Sequence, residues 1–322
     1  MENGLVHAII MDKNGGAKNI NYEELLNYKE EDGILWAHFD YSSKEAIEWI
    51  NDKSGIDPIA AEALLEEETR PRTTILDDNI LLALRGVNLN PDSDPEDMIS
   101  IRLFISPTMI ISTKKRNLLS VKDILEMLEH KKGPCSSAEF LISILDRLTC
   151  RMEGTIDGMQ DRSLEIEELA IESNSYELGS KISTIRREAI AIRRYLSPQR
   201  EAMFRLYHEK VTWLSEYDRI QLQEINNQLI RYIEELDSIN DKIALVLDEI
   251  ANKTSEQINK RMYFLSIISA IFLPLGFLTG LLGVNVGGIP GAENSSAFAI
   301  FIIILFILGT IQFYLLKKNR WI

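Results

Sequence analysis

Two uninterrupted apolar runs constrain this chain more than any other feature. Met262–Leu282 (MYFLSIISAIFLPLGFLTGLL) and Ala297–Leu316 (AFAIFIIILFILGTIQFYLL) carry no charge over twenty-one and twenty residues. About twenty apolar residues in a helix cross a hydrocarbon layer of about 30 Å. Within that layer the backbone must satisfy its own hydrogen bonds, so each run is expected to be a helix. Averages over the chain conceal this. Of 322 residues 45% are hydrophobic, and mean hydropathy is near zero, as in a water-soluble protein. A buried hairpin inside a soluble domain is the competing reading, and both lengths argue against it.

Charge sets the expected orientation. Lys253, Lys260 and Arg261 precede the first run, and Lys317, Lys318 and Arg320 follow the second. The connection Gly283–Ser296 has no Lys or Arg, only Glu293. Basic residues favour the cytoplasmic side, which places both termini inside and the connection outside. The opening residues MENGLVHAIIMDKNGG lack a basic segment followed by a long apolar one, so no signal peptide is expected. A net charge of −14 argues against a nucleic-acid partner and is compatible with concentrating cations. Cys135 and Cys150 form neither a metal spacing nor a disulfide framework. His7, His38, His130 and His208 are scattered, and none lies in an apolar run. No triad, phosphate loop or clustered metal ligands appears, so neither an enzyme nor a resident cofactor is expected.

Upstream, the branched and aromatic runs Leu5–Met11, Gly33–Asp40, Asn79–Leu89 and Met98–Thr113 read as strands. Helical stretches at Ser43–Lys53, Pro58–Glu68 and Val121–His130 fall between or after them. Residues 1–135 are therefore expected to form an α/β domain. Residues 136–214 read as a helical region, broken at Ser173–Ser175 and interrupted or kinked at Pro198. A stalk helix over 215–261 begins at Ser215, an N-cap followed by Glu216 and Asp218. Leu222, Leu229, Leu236, Ile243 and Ile250 recur every seven residues along it. Ile225, Tyr232, Ile239 and Val246 recur three places after the first four. This a/d seam needs partners, either the preceding helices or copies of itself. Glu224, Glu234, Glu235, Asp237, Asp241, Asp248 and Glu249 lie off the seam, as solubilising charge or as a cation-attracting face. No breaker occurs before Pro274, so Ser215–Leu282 would be one rod of roughly 100 Å.

Two helices cannot enclose water. If the chain moves a polar solute, several copies must surround the path, each lending one helix. The first run (262–282) is the candidate, because it carries Ser266, Ser269, Gly276, Thr279 and Gly280. Ser269, Leu273, Gly276, Gly280 and Gly283 are spaced 4, 3, 4 and 3, and Met262, Leu265 and Ser266 extend the stripe backwards. Small residues at this spacing serve either close helix packing or a narrow lining. Asn285, at the mouth of the glycine-rich loop GVNVGGIPG, would present a neutral ring of amides if copies meet there. Such a ring holds a hydrated cation without stripping its water, and small divalent ions dehydrate reluctantly. Capping of a helix end by Asn285 is the plainer alternative.

A pair of spans, the first ending in Gly283-Val284-Asn285, followed by the tail KKNRW, resembles the CorA superfamily of divalent-cation transporters. The usual family triplet is Gly-Met-Asn. The variant here is similar to the zinc-transporting ZntB branch. EETRPR (Glu67–Arg72), RRYLSPQR (Arg193–Arg200) and WLSEYDR (Trp213–Arg219) extend the likeness over nearly the whole chain. The resemblance implies an α+β membrane protein: a cytoplasmic α/β domain, a long stalk, a pore-lining span (262–282), an extracytoplasmic loop (283–296), an outer span (297–316) and a basic cytoplasmic tail (317–322). It further implies a homopentamer in the bacterial inner membrane that carries divalent ions, zinc foremost, with proton-coupled import proposed for the branch. By match to the family's lining helix, Met262, Leu265, Ser269, Leu273, Gly276, Gly280 and Asn285 would face the pore. Glu293, where relatives differ, would aid cation capture. The residues alone do not select zinc, since neither span holds the His or Cys that zinc prefers. A magnesium or cobalt channel of the same fold suits them equally, and a membrane-anchored coiled-coil scaffold or sensor is the reading from another class.

Overall fold

The computed structural model describes residues 3–67, 69–172, 176–283, 289, 291 and 294–319. The chain divides into two compact units, Met1–Val246 and Leu247–Ile322. The first is founded on a seven-stranded sheet. Its elements are β1 (Leu5–Met11), β2 (Ala17–Ile20), α1 (Tyr22–Leu26), β3 (Ile34–Asp40), α2 (Lys44–Glu48), α3 (Pro58–Leu65), β4 (Arg72–Leu76), β5 (Asn79–Gly86), β6 (Ile99–Ile105), β7 (Met109–Lys114) and α4 (Leu119–Glu129). The strand order is β2-β1-β3-β7-β6-β5-β4. β3 and β7 pair in parallel, and the other neighbouring pairs are antiparallel. The run Met98–Thr113, expected as one strand, is a hairpin. Ser106 turns it by accepting the Met109 N–H on its hydroxyl at 2.9 Å.

Alternation along β3 divides the core. Leu35, Ala37 and Phe39 join Trp49, Ile50, Ala60 and Leu64 beneath α2 and α3. Trp36, pointing the other way, meets Phe140 edge-on at 4.7 Å. Phe140 belongs to α5 (Ser137–Glu172), which precedes α6 (Tyr176–His208) and α7 (Glu216–Leu282).

α6 does not stop at Pro198. The proline deprives the Arg194 carbonyl of its helical donor, yet bonds to the sheet hold the next turn. The buried Gln199 Oε1 accepts the Arg85 N–H at 2.8 Å, and the Ala202 carbonyl accepts the Thr73 hydroxyl at 2.7 Å. Ser215 caps α7 as its sequence implies. Its hydroxyl accepts the Asp218 N–H at 3.2 Å, and the Asp218 carboxylate accepts the Ser215 N–H at 2.8 Å. This reciprocal pair satisfies two otherwise orphaned donors.

The seam of α7 finds its partners inside its own chain. Leu222, Ile225, Leu229, Tyr232, Leu236, Ile239, Ile243 and Val246 are all buried, whereas Ile250 is half-buried. α6 buries a matching series, Leu178, Ile182, Ile185, Ala189, Ile192, Leu196, Gln199, Met203 and Leu206, also at alternating steps of four and three. α5 contributes Met152, Ile156, Met159, Ser163, Ile166 and Ala170. Ion pairs Lys181–Glu165 (2.7 Å), Arg162–Glu188 and Arg193–Asp237 fasten the flanks. A buried leucine contributes about 1.5–3 kcal/mol, so the seam outweighs these partly exposed pairs, each worth about 0–1 kcal/mol.

In the second unit, the rest of α7 pairs with α8 (Ala297–Lys318). Ile267, Ile271, Leu275 and Leu278 form the half-buried face of the first helix. Phe301, Leu305, Leu308, Gly309, Gln312 and Leu316 form that of the second. A Cβ built on Gly309 would lie 4.0 Å from Leu275 Cδ1, which locates the contact. The outer faces are bare hydrocarbon, with Phe272, Leu273, Phe277, Phe298 and Phe306 each at least 66% exposed. Such continuous apolar cover on two helices of spanning length calls for lipid.

Replacing fully buried Leu236 by Ala leaves a cavity in the seam. The expected cost is about 2–5 kcal/mol, read as a lowered denaturation midpoint of the purified protein. Glu234→Ala, on the exposed side of α7, is expected to change stability by no more than about 0.5 kcal/mol.

Candidate functional site

The expected lining residues share one face of α7, and that face is turned away from α8. At about 100° per residue, Met262, Leu265, Ser269, Leu273, Gly276 and Gly280 fall within an arc of about 80°. The centre of that arc is roughly opposite the Ile267, Ile271, Leu275 and Leu278 face. Met262, Leu265 and Leu273 are 62%, 63% and 70% exposed, and Gly276 and Gly280 are exposed too, whereas Ser269 is half-buried. A Cβ added to Gly276 or Gly280 would meet nothing within 4 Å. The two glycines are therefore not required for packing inside this hairpin. Of the two explanations for a small-residue stripe, contact with α8 is removed, leaving contact with another copy or a space to be kept open.

Gly283 has a local reason of its own. A Cβ there would lie 2.7 Å from the Thr279 carbonyl oxygen, which also accepts the Gly283 N–H at 2.9 Å. Any side chain would crowd the carbonyl that closes the last turn. Val284 and Asn285, the rest of the triplet, lie outside the described residues, as does Glu293.

The stalk carboxylates are not one uniform face. Glu224, Asp237 and Glu249 pair with Arg231, Arg193 and Lys253. Glu235 sits against Asp157 and Glu153 of α5, and burial, then Asp157, pushes its carboxyl up from the ordinary range. Among the described residues, no three His, Cys, Asp or Glu side chains converge as metal ligands.

Two of the scattered histidines come together, which the sequence reading missed. β1 and β3 place His7 opposite His38, with the rings stacked at 4.9 Å. The pairing depends on strand order, which a local pattern does not encode.

The three motif stretches shared with the resembled family prove to be joints. Arg85 connects two of them. It donates to the Thr69 carbonyl at 3.2 Å and the Met98 carbonyl at 2.9 Å. It also lies 4.3 Å over the Tyr195 ring, and its N–H reaches Gln199. The third stretch secures the turn between α6 and α7. Trp213 Nε1 donates to the Asp78 carbonyl at 2.8 Å, and Arg219 caps the Tyr207 and Glu209 carbonyls, both at 2.8 Å. These residues hold α6 and α7 on the sheet.

Residues 31–318 match the family described as CorA-like Mg2+ transporter protein. The chain belongs to this CorA-like transporter family. It is 37% identical to the divalent cation transporter CmaX of Pseudomonas aeruginosa, over all of this chain and 98% of the relative. It is 34% identical to the zinc transport protein ZntB of Pectobacterium carotovorum, over 99% of this chain and 96% of the relative. The solved full-length CmaX structure superposes with a TM-score of 0.87 at 36% identity, covering 100% of this chain and 99% of that one. CorA-family architecture is thus shared along the whole length: a sheet domain, a long helix and an apolar C-terminal helix. Members of the family are transporters rather than enzymes.

If the motif residues are joints, Gln199→Met orphans the Arg85 N–H and is expected to cost about 1–3 kcal/mol in denaturation. Ion preference in the folded fraction should be unchanged, as measured by uptake into liposomes.

Proposed function

We propose that this chain carries divalent metal cations, zinc foremost, across the bacterial inner membrane through a pore formed by five copies. The observation that carries the reading is the stripe Ser269, Leu273, Gly276 and Gly280. It points away from α8, and both glycines look onto open space. Five such stripes around an axis would leave a narrow passage lined by small and apolar groups, with no fixed charge to trap an ion. Asn285, next to the end of the lining helix, would supply amide oxygens to the ion's hydration shell. α8 would stand outside, between the lining helices and lipid.

The names of the relatives support the cargo class. One is called a divalent cation transporter and another a zinc transport protein, at similar identity. The positive flanks, Lys253, Lys260 and Arg261 before the spans and Lys317 and Lys318 after them, support cytoplasmic termini. Proton-coupled import completes the reading. Magnesium or cobalt is the second reading within the same architecture, because the spans hold neither His nor Cys. Such a lining would act on the hydrated ion.

Uptake of zinc into proteoliposomes, with and without an opposing pH gradient, tests cargo and coupling together. Zinc uptake is expected to exceed magnesium uptake and to rise with an inward proton gradient. Asn285→Ala is expected to reduce it strongly, and Gly280→Leu to block it by filling the passage. Unchanged uptake in both variants, or a monomer by native mass spectrometry from bilayer discs, would refute the pore.

A further inference from the structure

The pair His7 and His38 borders a cavity of about 270 Å³ in the sheet domain. Residues of β1, β3, β7 and α4 line it, Lys114, Asn117 and Lys122 among them, and it opens to solvent. No carboxylate belongs to that lining among the described residues.

The chemistry of the wall is that of hydrogen-bond donors. Ser112 Oγ accepts the Trp36 indole N–H at 2.8 Å and lies 2.7 Å from His38 Nδ1. Ser112 is wholly buried. In the tautomer whose Nδ1 accepts the Ser112 hydroxyl proton, His38 carries its ring proton on Nε2 as a donor. His7 Nε2 is buried without a hydrogen-bond partner. Burial first, and Lys114 second, push His7 down to about 4, so the ring is neutral at ordinary pH. Lys114 donates one hydrogen bond to Asn117; burial lowers its ammonium from the ordinary lysine range, and the nearby Asp40 carboxylate works the other way. Lys122 sits at the exposed rim, paired with Glu126 at 3.3 Å. α4, which starts at this cavity with Leu119, has no side-chain cap on its first turn.

A metal cation fits these groups poorly. The stacked rings, 25° apart in plane, cannot both aim a lone pair at one ion, and the neighbouring ammonium repels it. A small oxyanion fits them well. It would neutralise Lys114, accept from His38 Nε2, and give the orphaned His7 nitrogen a partner. Charge-assisted bonds of this kind are the strong ones.

We propose that this cavity binds a small oxyanion, phosphate or the phosphate group of a small metabolite, between Lys114, His38 and His7. The inference stands or falls independently of the transport reading. Full-length protein in detergent micelles is titrated calorimetrically with inorganic phosphate and, separately, with adenosine monophosphate. Saturable binding at one site per chain is expected, weakened at least about tenfold by Lys114→Met, the loss of one charge-assisted bond. Lys122→Gln, at the exposed rim, provides a second variant that spares the fold and should weaken binding by a smaller factor. Lys13→Gln, far from this lining, should change nothing. Tighter binding of the nucleotide would identify a metabolite phosphate as the ligand, and equal or tighter binding of inorganic phosphate would identify the free anion. Absence of saturable binding of both, unaltered affinity in Lys114→Met and Lys122→Gln, or zinc binding in their place, would overturn the proposal.

Discussion

In hydrocarbon a peptide group has only other peptide groups to bond with, and this limits the two apolar runs, 262–282 and 297–316, to helices. Two helices have no interior. Whatever polar work they do must be done on a surface, and a surface facing lipid can do none. The stripe of Ser269, Leu273, Gly276 and Gly280 is the part of α7 that neither α8 nor a need for grease explains. A helix designed only to anchor would fill those positions with large apolar residues, as α8 does with isoleucine, leucine and phenylalanine over most of its length. The stripe makes physical sense when other copies stand before it, and the proposed pore follows from that requirement.

The seam of α7 resolves differently. Its heptads resemble those of a helix that pairs with copies of itself, yet every seam position from Leu222 to Val246 is buried within the one chain. The self-association implied by the stripe therefore does not come from the coiled-coil pattern. The chain uses its strongest hydrophobic repeat to fix α7 to its own sheet domain. Cover within the chain is concentration-independent, so this part of the stalk can form before any assembly does. The charged edges follow suit: Arg193 and Asp237 act between helices of one chain, not across copies.

What could be read from sequence was what local pattern encodes. The spans, the seam, the cap at Ser215 and the strands at Leu5–Met11 and Gly33–Asp40 all follow from periodicity and residue type. The misses have a common cause in tertiary contacts. β2 (AKNI) and β4 (RTTIL) are too short and polar to signal themselves, and they exist because β1 and β5 offer open edges. Pro198 would end an isolated helix, but Gln199 and Ala202 are tied to the sheet just beyond it. His7 and His38 stand thirty-one residues apart, and only the order of strands makes them neighbours. Of the candidate site, the stripe and Gly283 could be placed, whereas Asn285, read from its position at the mouth of the glycine loop and again from family resemblance, lies outside the described residues.

Selectivity is the harder demand on such a passage. A wall of small and apolar groups cannot tell zinc from magnesium by coordination, because it offers neither nitrogen nor sulfur to the softer ion. Two hydrated divalent ions of equal charge would pass it on nearly equal terms. Discrimination must then arise where the ion sheds or exchanges water, or where its passage is coupled to a second species. On the proposed reading, the first falls to the Asn285 amides. The second is where a proton gradient would act, since neutral walls leave the driving force, rather than a binding site, to decide which way the ion moves.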